Sequence, residues 1–214
     1  MTDTQTPIPK RNDDAPKLYR FVGLIFLWLI PCFFIWVSLS SFLAAPAVWA
    51  SEQILTYALP DIINTFSLSG SQAMLTTHFG ELDGQIVSAR AAGYRLAFPL
   101  NTRIVTYSLP FYAALHFATP SSNTTSGNDA NMAGLCKGLL LLYPLIILGL
   151  ISISLKNLML GLGPAFIEGT SIGASLIGLG YQLSTLMVPT VAPIMIWAWQ
   201  SRNSTLIQQL LIRK

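Results

Sequence analysis

The pattern along the chain is a series of long uncharged apolar runs, the first over residues 21–51. About 20 apolar residues are enough for a helix to cross the hydrocarbon core of a bilayer. The run therefore predicts a transmembrane helix over residues 21–48. A signal peptide cleaved after Ala50 is the competing interpretation, but apolar cores of signal peptides have about 7–15 residues. The length of this run favours a retained helix.

Three further apolar runs predict three more spans, over residues 104–119, 138–155 and 170–200. The first of these has 16 residues, or about 24 Å as a helix, which is short of the roughly 30 Å hydrocarbon core. Arg103 stands at its start. Because a long arginine can extend its guanidinium to the headgroups while its stem stays in lipid, we interpret Arg103 as an interfacial anchor.

The segment between the first two spans, residues 49–103, has a different pattern. Over residues 51–68, apolar side chains recur at helical spacing between polar ones, which predicts an amphipathic helix on the membrane surface, interrupted at Pro60. The runs "AMLTTHF", "GQIVSAR" and "YRLAFPL" then follow between glycines and predict two or three extended segments. The expected fold is an all-α integral membrane protein with about four transmembrane helices, this interfacial helix and a small strand-containing segment.

Composition supports a membrane protein, since 52% of the 214 residues are hydrophobic and 10% are charged. A soluble domain carries about a quarter charged residues. Residues 1–20 are the exception: they are polar, with mixed charge and three prolines, which predicts a disordered tail.

The distribution of basic residues predicts the orientation. With four spans both termini lie on one side, and that side, together with the 120–137 loop, holds eight Lys and Arg residues against four on the other. Cytoplasmic segments carry the excess of basic residues. The tails 1–20 and 201–214 and the loop 120–137 are therefore expected in the cytoplasm, and segments 49–103 and 156–169 outside it.

The sequence gives little support for catalysis, a metal or a cofactor. Cys32 and Cys136 show no metal-ligand spacing, and the predicted topology separates His78 from Cys136, against a Cys–His nucleophile. Glu81 and Asp83 between glycines are typical of a solvated turn. Scattered basic residues argue against nucleic-acid binding. We expect no enzyme activity, no cofactor and no metal.

The glycine-rich stretch before the last span is the candidate contact region. Gly169 and Gly173 form a Gly-xxx-Gly spacing, which lets helices pack closely, although glycines are also common in membrane helices. Tyr181 and Gln182 follow and could hydrogen-bond a neighbouring helix or a partner. These four residues are the predicted packing or partner contacts, and a homo-oligomer is among the partners they allow.

Three motifs resemble the exosortase H-associated membrane proteins: "FLAAPAVW" at residues 42–49, "YSLPFYAAL" at 107–115 and "LGYQLSTLMVPTVAP" at 179–193. The resemblance implies a non-catalytic accessory, in the inner membrane of a Gram-negative bacterium, to an exosortase-type protein-sorting transpeptidase. It brings no established catalytic residues. The alternative is a stand-alone small transporter or a membrane enzyme subunit, although the predicted spans lack the central ionisable residues expected of an ion-coupled carrier.

Overall fold

The computed structural model of the protein describes residues 15–70, 72–119 and 127–202. Most of the predicted tails, residues 1–14 and 203–214, and the loop residues 120–126 lie outside this described part. Residues 15–20 are helical, so the prediction of disorder is wrong for them. They form the first turns of a long helix that the apolar run then continues.

The first helix, α1 (Ala15–Ala58), has 44 residues and contains Pro31 and Pro46. At 1.5 Å per residue it is about 66 Å long, roughly twice the thickness of a hydrocarbon core. A substantial part of α1 therefore extends beyond any membrane that it crosses.

The predicted amphipathic helix over residues 51–68 is wrong in its second half. Its first half is the end of α1, and after a turn the chain forms the strand β1 (Ile63–Ser69). Helix α1 ends two residues before Pro60, and a proline disfavours a further helical turn because it has no N–H and its ring clashes with the preceding turn. Leu55, Ile63 and Phe66 of the predicted apolar face are at most 2% exposed and lie in the core, whereas Ile54 is 48% exposed.

The segment after the turn contains the strands that the sequence predicts and two that it does not. β1, β2 (Gln72–Thr77) and β5 (Ala97–Asn101) form an antiparallel sheet in the order β1-β2-β5. β3 (Phe79–Leu82) and β4 (Gln85–Ser88) form a separate hairpin, followed by the single turn α2 (Ala89–Ala92). Asp83 and Gly84 connect the hairpin with positive φ values of 50° and 79°, so Asp83 lies in a turn as predicted, whereas Glu81 belongs to β3.

The rest of the described chain is helical. The elements are α3 (Arg103–Thr106), α4 (Ser108–Ala118), α5 (Gly127–Leu162), α6 (Pro164–Glu168), α7 (Ala174–Leu186), a π-helical turn (Met187–Val191) and α8 (Ala192–Gln200). Tyr107 between α3 and α4 keeps right-handed helical angles, so the two helices form a nearly continuous rod. Helix α5 continues past both Lys137 and Lys156, which bracket the predicted 138–155 span.

Three helical segments of the described chain are long and apolar enough to cross a membrane: Tyr19–Ala58, Asn131–Leu162 and Ala174–Gln200. The fold is therefore mostly helical, with three candidate spans and a small strand-containing region. The α3–α4 rod is shorter and more enclosed; Tyr112 and Ala114 are fully buried.

Aromatic contacts fix which helix ends lie together. Phe21, near the start of α1, stacks on Trp197, near the end of α8, with centroids 5.6 Å apart. Trp28 contacts Phe117, near the end of α4, at 5.1 Å. The sheet lies at the opposite end, where the core residues Phe66, Leu75, Leu100, Leu158 and Phe166 join it to the helices.

Candidate partner-binding surfaces

Helix α1 carries an exposed row of large side chains beyond its first apolar turns. At 100° per residue, positions 42, 46, 49, 53 and 57 fall within about 80° of one another. Phe42, Trp49 and Tyr57 in this row are 77%, 66% and 91% exposed. We call Phe42, Pro46, Trp49, Gln53 and Tyr57 the aromatic stripe; it is about 22 Å long.

The opposite face of the same part of α1 is buried inside the protein, where α1 packs on α4, β1 and α5. Ala44, Ala47 and Val48 are at most 3% exposed. Small residues there let the neighbouring elements approach the helix closely, and the motif positions 42, 46 and 49 are exposed on the other side. The motif "FLAAPAVW" therefore combines a packing face with an exposed face.

Two side-chain hydrogen bonds hold the sheet to α1. The Ser41 hydroxyl donates to the carbonyl oxygen of Gly70, at 2.7 Å. The Phe66 backbone N–H donates to the Glu52 carboxylate, at 3.2 Å. The Glu52 bond satisfies a donor of β1, a strand at the edge of its sheet. The aromatic stripe therefore lies on a helix that is held in place by hydrogen bonds to the sheet.

A second surface is the groove between α5 and α7–α8, with a volume of about 470 Å³. Its lining is apolar except for the Ser152 and Ser184 hydroxyls, which donate to carbonyl oxygens of their own helices. The π-helical turn forms part of the wall, where Pro189 provides no N–H for a regular helix. This is the motif region 179–193.

A smaller apolar groove, of about 230 Å³, lies between α1, α4 and α5. A helix is about 10–12 Å in diameter with its side chains. A space of this volume would therefore hold only a few ångströms of helix length, too little for a partner helix. Cys32 lines this groove and is buried, whereas Cys136 is exposed.

The structure places the four predicted contact residues in two regions. Gly169 follows α6 and Gly173 precedes α7, so this Gly-xxx-Gly spacing lies in a connection between helices. A Cβ at Gly169 would meet Ile62 at 3.1 Å, while one at Gly173 would meet nothing within 4 Å. Tyr181 is partly buried and Gln182 is exposed, both on α7. Their role as partner contacts stays a prediction.

The glycines that allow the closest approach between helices in the described bundle lie on α5, and the sequence analysis did not identify them. A Cβ at Gly138 would overlap the Tyr112 ring, and one at Gly149 would lie 2.8 Å from Val105 Cγ1. The Tyr112 hydroxyl donates to the carbonyl of Gly134, at 3.2 Å. Gly134 and Gly138 themselves have the Gly-xxx-Gly spacing, so the sequence did contain a signal for this contact.

Arg103 begins α3, directly after β5. Its backbone N–H donates to Asn101 Oδ1 at 3.0 Å. The side chain is partly buried, and its Nε atom is enclosed without a hydrogen-bond partner in the described part of the chain. Its position at the junction of sheet and helix is compatible with the predicted interfacial anchor, which stays a prediction.

The remaining candidate chemical groups do not converge. His116 Nε2 lies 2.9 Å from the carbonyl oxygen of Asn131. Among the described residues, no group of three or more His, Cys, Asp or Glu side chains could hold a metal ion.

The long apolar helices and the small sheet at one end define the class of the protein, a mostly helical integral membrane protein. A family profile then gives the family: it matches residues 15–204, and the chain belongs to the exosortase H-associated membrane proteins. The resemblance seen in the sequence is confirmed. Comparison with curated proteins and with solved structures gave no match.

Proposed function

We propose that the protein is a non-catalytic accessory of an exosortase-type protein-sorting transpeptidase in the bacterial inner membrane. The family description, which associates these proteins with exosortase H, supports this function. The proposal also names a surface, because an accessory that acts by association needs one that its own fold leaves uncovered.

The proposed topology has four crossings, with the α3–α4 rod as the second. Two contacts support it: Phe117, late in α4, lies against α1 near Trp28, and Phe98 of β5, just before α3, packs on Gly161 near the end of α5. The rod thus runs from the sheet end of the bundle to the end where α1 begins. With the excess of basic residues inside, the sheet lies outside the cytoplasm.

The aromatic stripe is the observation that carries the proposal. If α1 enters the bilayer near Phe21, about 20 residues complete the crossing, and residues 42–57 extend from the outer interface into water. Exposed aromatic residues are enriched in protein interfaces, where they supply much of the binding energy. Three exposed aromatic side chains in a row on a rigid helix are unfavourable in water, and a protein partner would bury them.

The experiment is co-purification with a co-expressed exosortase H in mild detergent. Replacing Phe42, Trp49 and Tyr57 together with alanine should reduce recovery of the enzyme at least tenfold, since truncating one interface hot spot costs about 2 kcal/mol or more. Membrane levels should stay unchanged, because exposed substitutions alter stability by only about 0.5 kcal/mol.

The matched control is Trp199→Ala, which removes an aromatic residue of similar exposure, 56%, at the other end of the bundle. It should leave recovery unchanged. Equal recovery with the wild-type chain and the triple variant would contradict the stripe as the contact. No recovery with the wild-type chain would contradict the accessory function itself.

A further inference from the structure

We infer that the groove between α5 and α7–α8 holds one acyl chain of an anionic phospholipid, and that Lys156 binds the lipid phosphate at the end of the groove nearer the sheet. Neither the family nor the proposed function assigns a ligand to this groove. The inference rests on the lining of the groove, on its volume and on the position of the Lys156 ammonium.

The lining of the groove suits a hydrocarbon chain. Its two hydroxyl groups belong to Ser152 and Ser184. They donate to the carbonyl oxygens of Leu148 and Gly180 in their own helices, at 2.8 and 2.6 Å. A ligand in the groove therefore meets no free side-chain donor. A polar ligand would pay for its lost hydrogen bonds there, whereas a hydrocarbon chain has none to lose.

The volume of the groove distinguishes a lipid chain from a partner helix. A helix is about 10–12 Å in diameter with its side chains, so the groove would hold about one helical turn. A methylene group takes up about as much space as a water molecule, about 30 Å³. The groove volume of about 470 Å³ therefore accommodates about 16 methylene groups, which is the size of one acyl chain of a membrane lipid.

Contacts between α5 and α7 place Lys156 at one end of this groove. Ser152 and Gly180 are the lining residues nearest the sheet on their helices, and a Cβ at Gly180 would lie 3.1 Å from Ser152 Oγ. Lys156 follows Ser152 by four residues, on the same face of α5 and about 6 Å further along it. Its Nζ lies 4.9 Å from the centroid of the Tyr181 ring, which belongs to the residue after Gly180. The ammonium is thus held between the two helices, at the end of the groove.

The charge at this end complements a lipid phosphate. Lys156 directly follows the uncharged run 138–155, where a membrane helix reaches the headgroups. α7 contains no acidic residue, and the only one in α5 is Asp129, at the opposite end of that helix. Basic side chains between membrane helices bind anionic headgroups, and lysine binds a phosphate as a point charge. One anionic lipid can therefore satisfy both the cation and the apolar groove below it.

The test maps where a lipid chain lies on the full chain in dodecyl maltoside. The probe is phosphatidylglycerol with a photoactivatable diazirine in the middle of one acyl chain, and mass spectrometry identifies the crosslinked residues. The inference predicts adducts on Leu148, Met187 or Met195, which line the groove. Adducts on Leu140 and Leu176, which are 69% and 64% exposed outside the groove, at the same yield as on the groove residues would overturn it.

Lys156→Gln tests the headgroup contact. A basic residue near an anionic membrane surface contributes about fivefold in affinity. The variant should therefore bind phosphatidylglycerol about fivefold more weakly, measured by titration in native mass spectrometry. Lys137→Gln is the matched control, since it removes an exposed lysine near the other end of α5. It should leave binding unchanged; an equal loss in both variants would show a diffuse charge effect and overturn the site.

Leu183→Trp tests the chain contact. Leu183 lines the groove and is 45% exposed, so the larger ring should occupy part of the groove and reduce the adducts there. Leu179, one turn earlier on α7, is 53% exposed and does not line the groove. Leu179→Trp should therefore leave the adducts unchanged. Equal reductions in the two tryptophan variants would contradict a chain in the groove.

Inorganic phosphate distinguishes a lipid from a soluble anion. If phosphate at millimolar concentration displaces the probe as well as unlabelled phosphatidylglycerol does, the cation serves a free anion and the lipid assignment is wrong. Should a variant fail to fold, the wild-type map still decides: no adduct on any groove residue overturns the inference.

Discussion

Gly138→Ala tests the packing that brings α4 against α5. The added methyl group would overlap the ring and hydroxyl of Tyr112, which is fully buried. Overpacking a core costs about 1–3 kcal/mol. If the ring moves, its hydroxyl also loses its bonds to the Gly134 carbonyl and the Gln200 side chain, each worth about 0.5–1.5 kcal/mol.

A gain of about 1 kcal/mol from replacing glycine by alanine inside a helix opposes these losses. The net destabilisation is therefore about 3 kcal/mol, which for a chain of this size lowers the melting temperature by roughly 6–12 °C. The assay is thermal unfolding of the detergent-purified protein, followed by tryptophan fluorescence.

Gly178→Ala is the matched control, because a Cβ at Gly178 would meet nothing within 4 Å. Helix propensity acts there without a clash, so this variant should be as stable as the wild type or slightly more stable. Equal melting temperatures for the two variants would refute the packing argument.

Two further predictions concern the sheet end of the molecule. Gly161→Ala should displace the Phe98 ring that packs on this glycine and destabilise the protein by about 1–3 kcal/mol; faster hydrogen exchange of β5 would show the loosened contact, and unchanged exchange would contradict it. For the proposed topology, reporter fusions at Gly80 and Ser122 should report the outside and the cytoplasm respectively, and cytoplasmic activity at Gly80 would overturn it.

The apolar runs predicted the helices well because a membrane helix needs a continuous apolar sequence and little else. They predicted helix ends poorly. Lys137 and Lys156 bound the apolar run, yet α5 extends from Gly127 to Leu162. Charge limits how much of a helix can lie in hydrocarbon, but it does not end the backbone hydrogen bonding.

Residues 62–68 show why the strand β1 was missed. Ile62, Ile63 and Phe66 match a helical period together with Leu55 and Leu59, and all five are buried. A short apolar run fits a strand or a helix equally well, and only the sheet partner, β2, decides between them. Hydrophobicity located the core, but tertiary pairing determined the element.

The aromatic stripe could not be predicted from the sequence for a related reason. Phe42 and Trp49 lie in the same apolar run as the buried Ala44 and Val48. Which face of α1 stays exposed depends on where β1, α4 and α5 pack against it, and α4 and α5 lie far along the chain. The family motif marked the region without revealing its exposed side.

The most direct test of the accessory function is photocrosslinking in intact membranes, with a benzophenone amino acid at Trp49 or Tyr57 and exosortase H co-expressed. The account predicts a covalent adduct with the enzyme from both positions. It predicts none from Leu160, a residue 67% exposed on α5. Adducts from Leu160 but not from the aromatic stripe would contradict the proposed contact, and no adduct from any of the three positions would contradict the association.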